Sequence, residues 1–347
     1  MIRLQKDSKV YVHCPAGSVT GGAELLHQLV DVLNRNGVMS YIVYFGDSPH
    51  TVPSDYASYR INSADSIEDD SRNVEVIYEG RFDLVRTNKK IQKLLWWLSV
   101  DNFYLCSSHF LSIFDLLKYD TKFGLISAAR QVKQLIKNNN KYIFNPLTLK
   151  ELKKYDVMNA YQSEYAQNFL QNAGFKEMMP LKDFINSEHQ YDPSLTKDDI
   201  ILYNPKKGFE FTRKLINAAP NLNWVPLAGM TRAELIKTLR KAKIYVDFGF
   251  HPGKDRLPRE CALNGCCVIT GFRGSAGFYE DVALPNKYKF KDKEKNIPFI
   301  IDRIKDILDN YDNRVDDFKM YRNLISREKA EFEEQALIIF GVITSIS

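Results

Sequence analysis

The chain has 347 residues, of which 44% are hydrophobic and 26% are charged, and its formal net charge at pH 7 is +5. These values are typical of a folded globular protein and argue against disordered and fibrous classes. The small positive charge suits an anionic ligand or a membrane surface but falls short of a nucleic-acid-binding signature. Because one domain takes roughly 150 residues, the length predicts two domains.

The cysteines and the N-terminal residues predict the cellular compartment of the protein. The five cysteines lack metal-ligand spacing and include an adjacent pair on a predicted buried strand: Cys14, Cys106, Cys261, Cys266 and Cys267. A reducing cytoplasm is the simplest setting for them. Residues 1–10 lack a signal-peptide apolar run, and no stretch approaches the roughly 18 apolar residues of a membrane span. We therefore expect a cytoplasmic protein that can contact the inner face of the membrane.

The first half of the chain alternates predicted strands and helices. A strand at Lys9–Cys14 leads through a glycine-containing loop, residues 16–22, into an amphipathic helix over about residues 23–34 that Gly37 ends. Further strands are predicted at 40–45, 93–98 and 156–162, and a helix at 164–172. This alternation predicts a mostly parallel sheet.

A polar segment at residues 174–196, which contains Pro180 and Pro193, is predicted to link two domains. After it, strands are predicted at 200–203, 224–227 and 244–248, and helices at 209–219 and 232–242. Thr231 and Glu234 form a capping box at the start of the second of these helices. The tail, residues 297–347, is predicted to be helical. We expect domains at 1–185 and 196–325 and a final helix at 326–347 that packs on the first domain.

Residues 251–271 form the most informative stretch, because they predict an anion site followed by a helix and a buried strand. Gly253 permits a tight loop, Lys254 and Arg256 supply positive charge, and Pro258 suits a first helical turn, whose backbone N–H groups favour a phosphate. Glu260 then lies about one turn into the helix, where its carboxylate can accept hydrogen bonds from two ribose hydroxyls. The alternative is an ordinary helix with a solvated Glu.

Several spaced motifs resemble those of retaining GT-B nucleotide-sugar glycosyltransferases of the large family 4. They are Gly21–Glu24, Tyr161–Tyr165 with Gly174, Asn204–Gly208, and Glu260–Ala262 with Gly265. The resemblance implies an α/β architecture with two Rossmann-like, doubly wound domains facing across a cleft, plus a C-terminal helical segment. The aromatic, polar strand end at Trp97–Asn102 and the anion site at residues 251–271 further predict that the first domain binds the acceptor and the second binds the nucleotide sugar.

Two positions depart from the family pattern. Pro252 stands where the family motif places its first Glu, and Leu202 stands where an Arg commonly precedes the Lys-Gly element. We infer that Arg256, or Lys206 beside Lys207, neutralises the phosphates instead. Asp255 or His251 is then expected to contact the donor sugar.

The predicted donor site combines these residues with the resemblance. Lys207 and Arg256 are predicted to stabilise the departing diphosphate, since fixed cations do so without reorganisation. The other predicted donor-binding residues are Gly22, Gly253, Lys254, Asp255, Glu260, Gly274 and Ser275. The alternatives are solvated surface cations and, around Gly274, a plain loop.

The acceptor is predicted to meet the end of the strand at 93–98. Trp97, Asp101 and Asn102 are the candidate acceptor-binding residues, because aromatic faces stack on sugar rings. Strand alternation sends Trp96 and Trp97 to opposite faces, so one of them is expected in the core. His109 is a candidate catalytic group for acceptor deprotonation, and its alternative is a structural role.

Together these features predict a glycosyltransferase that moves a sugar from a nucleoside diphosphate sugar to a glycan or lipid-linked acceptor. The resemblance implies retention of configuration and a role in surface polysaccharide biosynthesis. No metal and no separate cofactor are expected, because metal-ligand motifs such as Asp-x-Asp are absent from the sequence. One rival is a non-catalytic GT-B relative that acts as a nucleotide-binding interaction module. A dinucleotide oxidoreductase is disfavoured, because Gly17, Gly21 and Gly22 lack the required spacing.

Overall fold

The computed structural model describes residues 2–106 and 148–343. They divide into two compact units. The first unit comprises the described residues of 1–162, 166–182 and 333–347, and the second comprises 163–165 and 183–332. The chain therefore returns to the first unit at its C-terminal end.

The first unit is built on a parallel sheet whose described strands follow the order β3-β2-β1-β4-β5-β6-β7. The strands are β1 (Lys9–Pro15), β2 (Met39–Phe45), β3 (Asn62–Ser63), β4 (Val74–Tyr78), β5 (Gln92–Trp97), β6 (Met158–Tyr161) and β7 (Met178–Pro180). Helices α1 (Gly21–Arg35), α2 (Val100–Cys106), α3 (Leu149–Leu152) and α4 (Glu164–Asn172) connect them. Strand order reverses between β1 and β4, and such a switch point opens a crevice at the carboxyl ends of the strands.

Local sequence explains the first β–α unit. The interior residues of β1 are buried, as a central strand covered on both faces requires. Thr20 caps α1 by accepting a hydrogen bond from the N–H of Ala23 at 3.3 Å. Leu25, Leu29 and Leu33 are buried on the face of α1 that packs on the core.

The second unit is built on a smaller parallel sheet with the order β11-β10-β8-β9. The strands are β8 (Asp198–Tyr203), β9 (Asn223–Pro226), β10 (Ala242–Asp247) and β11 (Cys267–Thr270). The helices are α5 (Phe209–Ala218), α6 (Arg232–Lys241), α7 (Arg256–Leu263), α8 (Ile297–Asp309), α9 (Tyr311–Arg314) and α10 (Lys319–Ile339), of which α10 belongs to the first unit from residue 333 onward. Short 3₁₀ helices lie in the first unit at Ser54–Tyr56 and Glu79–Arg86, and in the second unit at Ser275–Gly277, Asn286–Tyr288, Glu294–Asn296 and Val315–Phe318.

The predicted α/β alternation with parallel sheets is confirmed, although the short strand β3 was not predicted and two further differences occur. β4 was not predicted, because Glu75 interrupts its apolar run; in the fold Glu75 is fully buried and its Oε1 lies 2.7 Å from Nε2 of His13. The predicted linker at 174–196 contains a strand, β7, which pairs with β6. No described helix combines the length and apolar character that crossing a bilayer requires.

Candidate functional site

Three loops meet at the carboxyl edge of the second sheet, where open parallel sheets bind their ligands. They follow β8, β10 and β11. Glycines permit the close approach. Gly208 has φ +64°, and an added Cβ would overlap the backbone of Phe248 and Gly249. Gly274 has φ +60°, and an added Cβ would overlap the carbonyl oxygen of His251. Both positions therefore require glycine.

The loop after β11 supports the loop after β10. The N–H of Ser275 donates to the carbonyl oxygen of His251 at 2.9 Å, and its Oγ donates to the carbonyl oxygen of Gly253 at 2.6 Å. The structure thus brings together the predicted residues Gly253, Gly274 and Ser275. Because the Ser275 hydroxyl is fully buried in this contact, its visible role is to fix the loop that leads into α7.

The start of α7 is the predicted anion site, and two cations lie at it. Asp255 is the N-cap residue, yet its side chain makes no capping hydrogen bond to α7. Its Oδ2 instead accepts a hydrogen bond from Nζ of Lys207 at 2.7 Å. Arg256 follows as the first residue of the helix. The N-terminus of α7 thus receives no cap from its N-cap side chain, and Lys207 and Arg256 flank it. Such an N-terminus is suited to a phosphate.

Glu260 projects from α7 one turn beyond Arg256. Its Oε1 lies 3.2 Å from Nε of Arg256 and 3.8 Å from Nε2 of His189. The side chain of Glu260 is only 11% exposed, so it is not the solvated Glu of the alternative interpretation. Burial is the largest effect on His189 and lowers its pKa, against the opposing charge of Glu260. The carboxylate is therefore held in place by Arg256, and its predicted ribose contact remains a prediction.

Lys254 does not fit the predicted donor contact. Its side chain is 7% exposed, and its Nζ lies 2.7 Å from Oε1 of Glu328. The neighbouring Arg259 is fully buried and contacts both Glu328 and Asp183 at 2.8 Å. Burial raises the pKa of Asp183, but the charge of Arg259 outweighs it and holds that pKa below its ordinary value. The ammonium of Lys254 thus belongs to an internal ion-pair network, and the prediction for Lys254 is wrong.

Asp247 and His251 were not predicted as a pair, although a carboxylate that ends an apolar strand was a usable signal. Oxygen and nitrogen atoms of Asp247, His251 and Asp255 lie within 4.8 Å of one another, a spacing that a metal ion can use. However, the two ring nitrogens of His251 face different carboxylates, and Lys207 already binds Asp255. The cluster is therefore balanced by its own charges. Metal independence stays a prediction.

In the first unit, Trp97 lies in the core rather than in an acceptor site. It is fully buried, its Nε1 donates to Oδ1 of Asn159 at 3.0 Å, and its ring packs on Phe82 at a centroid distance of 4.7 Å. Trp96 is fully buried as well, so both tryptophans are core residues. The predicted sugar stacking on Trp97 is wrong, because a central parallel strand buries both of its faces.

The other acceptor candidates differ in exposure. Asp101 is 3% exposed, whereas Asn102 is exposed and its Nδ2 donates to Oε1 of Glu79 at 3.4 Å. Asn102 is thus the described acceptor candidate with a solvent-facing side chain. His109 lies outside the described residues. Gly22 lies in the first turn of α1, where an added Cβ would contact Leu98 at 3.9 Å.

Glu79 was not predicted as a functional residue, because it follows β4, a strand that the sequence does not indicate. Its Oε2 accepts a hydrogen bond from the N–H of Leu98 at 2.9 Å. Burial raises its pKa to about 7, against hydrogen bonds that lower it. A carboxyl group that titrates near neutral pH at the carboxyl edge of a sheet is able to exchange a proton during a reaction.

No protein-family model matches the sequence, and no curated protein is significantly similar to it in sequence. Solved structures do match the fold. Anabaena HepE, solved with UDP-glucose, has a TM-score of 0.60 at 9% identity, over 96% of this chain and all of that chain. A Rickettsia africae glycosyltransferase has a TM-score of 0.57 at 13% identity, over 98% and 99%. S. aureus TarM has a TM-score of 0.53 at 13% identity over 79% of this chain, which spans 56% of the length of TarM. The chain therefore has the GT-B fold of these proteins.

Proposed function

We propose that the chain is a nucleotide-sugar-dependent glycosyltransferase whose second unit binds the donor. The observation that carries this proposal is the start of α7, where Lys207 and Arg256 flank a helix N-terminus that the side chain of Asp255 leaves uncapped. This arrangement suits a diphosphate, because helix N–H groups and cations both attract anions. HepE, which shares the fold, was solved with UDP-glucose.

The proposed roles of Lys207, Arg256 and Glu260 follow from the position at which negative charge develops during transfer. When the bond between the sugar and the diphosphate breaks, negative charge grows on the leaving phosphate. Lys207 and Arg256 are fixed at the edge of the sheet and stabilise that charge without moving. Glu260, one helical turn away and held by Arg256, accepts hydrogen bonds from the ribose hydroxyls. The donor is thus oriented at its diphosphate and its ribose.

The finer features of the proposal rest mainly on the resemblance. Transfer proceeds with retention to a glycan or lipid-linked acceptor, in surface polysaccharide biosynthesis, without a metal ion. Retention requires chiefly that the departing diphosphate is stabilised, and Lys207 and Arg256 supply that stabilisation. Inversion needs a general base on the acceptor. An inverted product would therefore direct attention to His109 and Glu79, and the anomeric coupling of the first product in proton NMR distinguishes the two courses.

A non-catalytic nucleotide-binding relative is the second candidate, and Pro252 is the observation that favours it. Pro252 replaces the Glu that the resembling family uses for the donor sugar. Such a protein would bind the nucleotide but neither transfer nor hydrolyse a sugar.

The first test is thermal unfolding with a panel of nucleoside diphosphates and their sugars. A ligand that binds only the folded state raises the midpoint. We expect at least one nucleoside diphosphate to raise it and the matching nucleoside to raise it far less, because the site is built for the diphosphate. If no member of the panel raises the midpoint at millimolar concentration, the proposed donor site is contradicted.

A further inference from the structure

Lys207, the proposed diphosphate contact, already has a carboxylate partner. Its Nζ lies 2.7 Å from Oδ2 of Asp255, and the two side chains are 37% and 17% exposed. Asp is among the strongest N-cap residues, yet Asp255 makes no side-chain cap on α7. The carboxylate is therefore directed to Lys207 at the expense of its own helix. A nucleoside diphosphate that binds Lys207 has to compete with it.

A buried histidine lies behind Asp255. His251 is fully buried; its Nδ1 is 3.9 Å from Oδ2 of Asp255 and its Nε2 is 3.5 Å from Oδ1 of Asp247. Among the described residues, neither ring nitrogen has a hydrogen-bond partner. A neutral imidazole would turn a lone pair toward one of the carboxylates, whereas an imidazolium has an N–H for each. The geometry therefore favours the charged ring.

The surroundings of His251 support that charge. Burial by itself lowers the pKa of His251, but Asp247 and then Asp255 outweigh both burial and the opposing charge of Lys207, so the pKa is raised. Asp247 is fixed, because it accepts hydrogen bonds from the Tyr245 hydroxyl at 2.7 Å and the Gly249 N–H at 2.8 Å. Asp255, in contrast to Asp247, lies between Lys207 and His251, and its Oδ2 is 2.7 Å from the first and 3.9 Å from the second.

We propose that Asp255 is an exchangeable counter-ion, bound to Lys207 as seen here and transferred to His251 when a nucleoside diphosphate binds Lys207. This inference rests on the proposed function, since it requires a diphosphate at Lys207. The exchange breaks no covalent bond. It closes the 3.9 Å gap between Asp255 and His251 and gives the displaced carboxylate a new partner. His251 is thus a positioning residue that acts through Asp255, and diphosphate binding becomes coupled to protonation of the ring.

The first test is a rescue experiment with UDP, or with GDP or ADP if one of these binds better in the thermal panel. His251→Gln should weaken binding roughly five- to tenfold, because the displaced carboxylate then has no cation to receive it and stays beside the diphosphate. Adding Asp255→Asn should restore the affinity to within about twofold of wild type. Asp199→Asn is the matched control, since Asp199 pairs with Lys243 at the amino end of β8; it should give no rescue.

A merely structural role for His251 predicts a different pattern, in which the double variant binds as weakly as His251→Gln. That result would overturn the proposal. The proposal would also be overturned if the single variant His251→Gln bound the nucleotide with wild-type affinity. If no nucleoside diphosphate binds the wild-type protein, the proposed function fails instead, so the two failures are distinguishable.

The second test measures the coupling to protons. Calorimetry in buffers of different ionisation enthalpy, at several pH values between about 6 and 9, gives the protons exchanged on binding. The nucleotide exchanges protons through its own terminal phosphate, so the readout is wild type minus His251→Gln. We expect a net uptake in that difference, because a closer Asp255 raises the pKa of His251 further. A zero difference at every pH would contradict the exchange.

Discussion

The role assigned to Glu260 gives a selective prediction. Glu260→Gln should weaken the binding of a nucleoside diphosphate and leave the binding of inorganic pyrophosphate unchanged, because pyrophosphate has no ribose. A charged hydrogen bond contributes about 1.5–3 kcal/mol and a neutral one about 0.5–1.5 kcal/mol. For two ribose hydroxyls the loss is therefore about 2–3 kcal/mol, or roughly 30- to 150-fold in affinity.

The structure indicates that this substitution spares the fold. Gln retains an oxygen that can accept from Nε of Arg256, which lies 3.2 Å from Oε1 of Glu260. A charged hydrogen bond to Arg256 is exchanged for a neutral one, so the free energy of unfolding should fall by only about 1–1.5 kcal/mol.

The assay is isothermal titration calorimetry with both ligands, and urea unfolding reports on the fold. If pyrophosphate affinity falls as much as nucleotide affinity, then Glu260 acts by holding Arg256 at the phosphates. The ribose assignment would then be wrong.

Lys207→Ala should show the complementary pattern, with both ligands bound roughly ten- to a hundredfold more weakly in calorimetry, because a charged phosphate contact is lost; unchanged pyrophosphate affinity would refute the contact. Arg259→Met should lower the free energy of unfolding in urea by about 3–5 kcal/mol, since it leaves Asp183 and Glu328 buried without their shared cation. Arg314→Met, which removes the more exposed pair with Asp306, is its control and should cost under about 1 kcal/mol; equal losses would contradict the difference. Burial raises the pKa of Glu79 to about 7, above its unfolded value of about 4.3. The folded state then binds the extra proton between these values, and stability falls as pH rises through that window. Glu79→Gln should remove this dependence, which amounts to at most about 3 kcal/mol between pH ~5 and pH ~8 in urea unfolding; an unchanged pH slope would show that Glu79 is not its source.

The sequence predicted local features better than long-range ones. The β10–α7–β11 stretch was predicted because its glycine loop, Pro258 and apolar strand determine the structure of residues next to them in the chain. β4 was missed because the partners that explain the charge of Glu75 are distant in the chain: His13 lies 62 positions earlier, and Lys93 lies on β5.

The same limit applies to the site. Lys207 and Asp255 were both named as donor residues, but their ion pair spans 48 positions and no local pattern indicates it. Lys254 was misassigned because its partner, Glu328, lies on α10 far along the chain. Trp97 was misassigned because alternation predicts one exposed face, whereas a central parallel strand is covered on both.

The most direct test of donor use is the release of nucleoside diphosphate from nucleotide sugars, followed by phosphorus NMR. Wild-type protein should release the diphosphate from at least one nucleotide sugar of the panel, slowly to water and faster with an acceptor. Lys207→Ala should reduce that rate by about ten- to a hundredfold, since the leaving phosphate loses a stabilising cation. Tight nucleotide binding with no release from any sugar and acceptor tested would contradict the catalytic account and favour the non-catalytic relative.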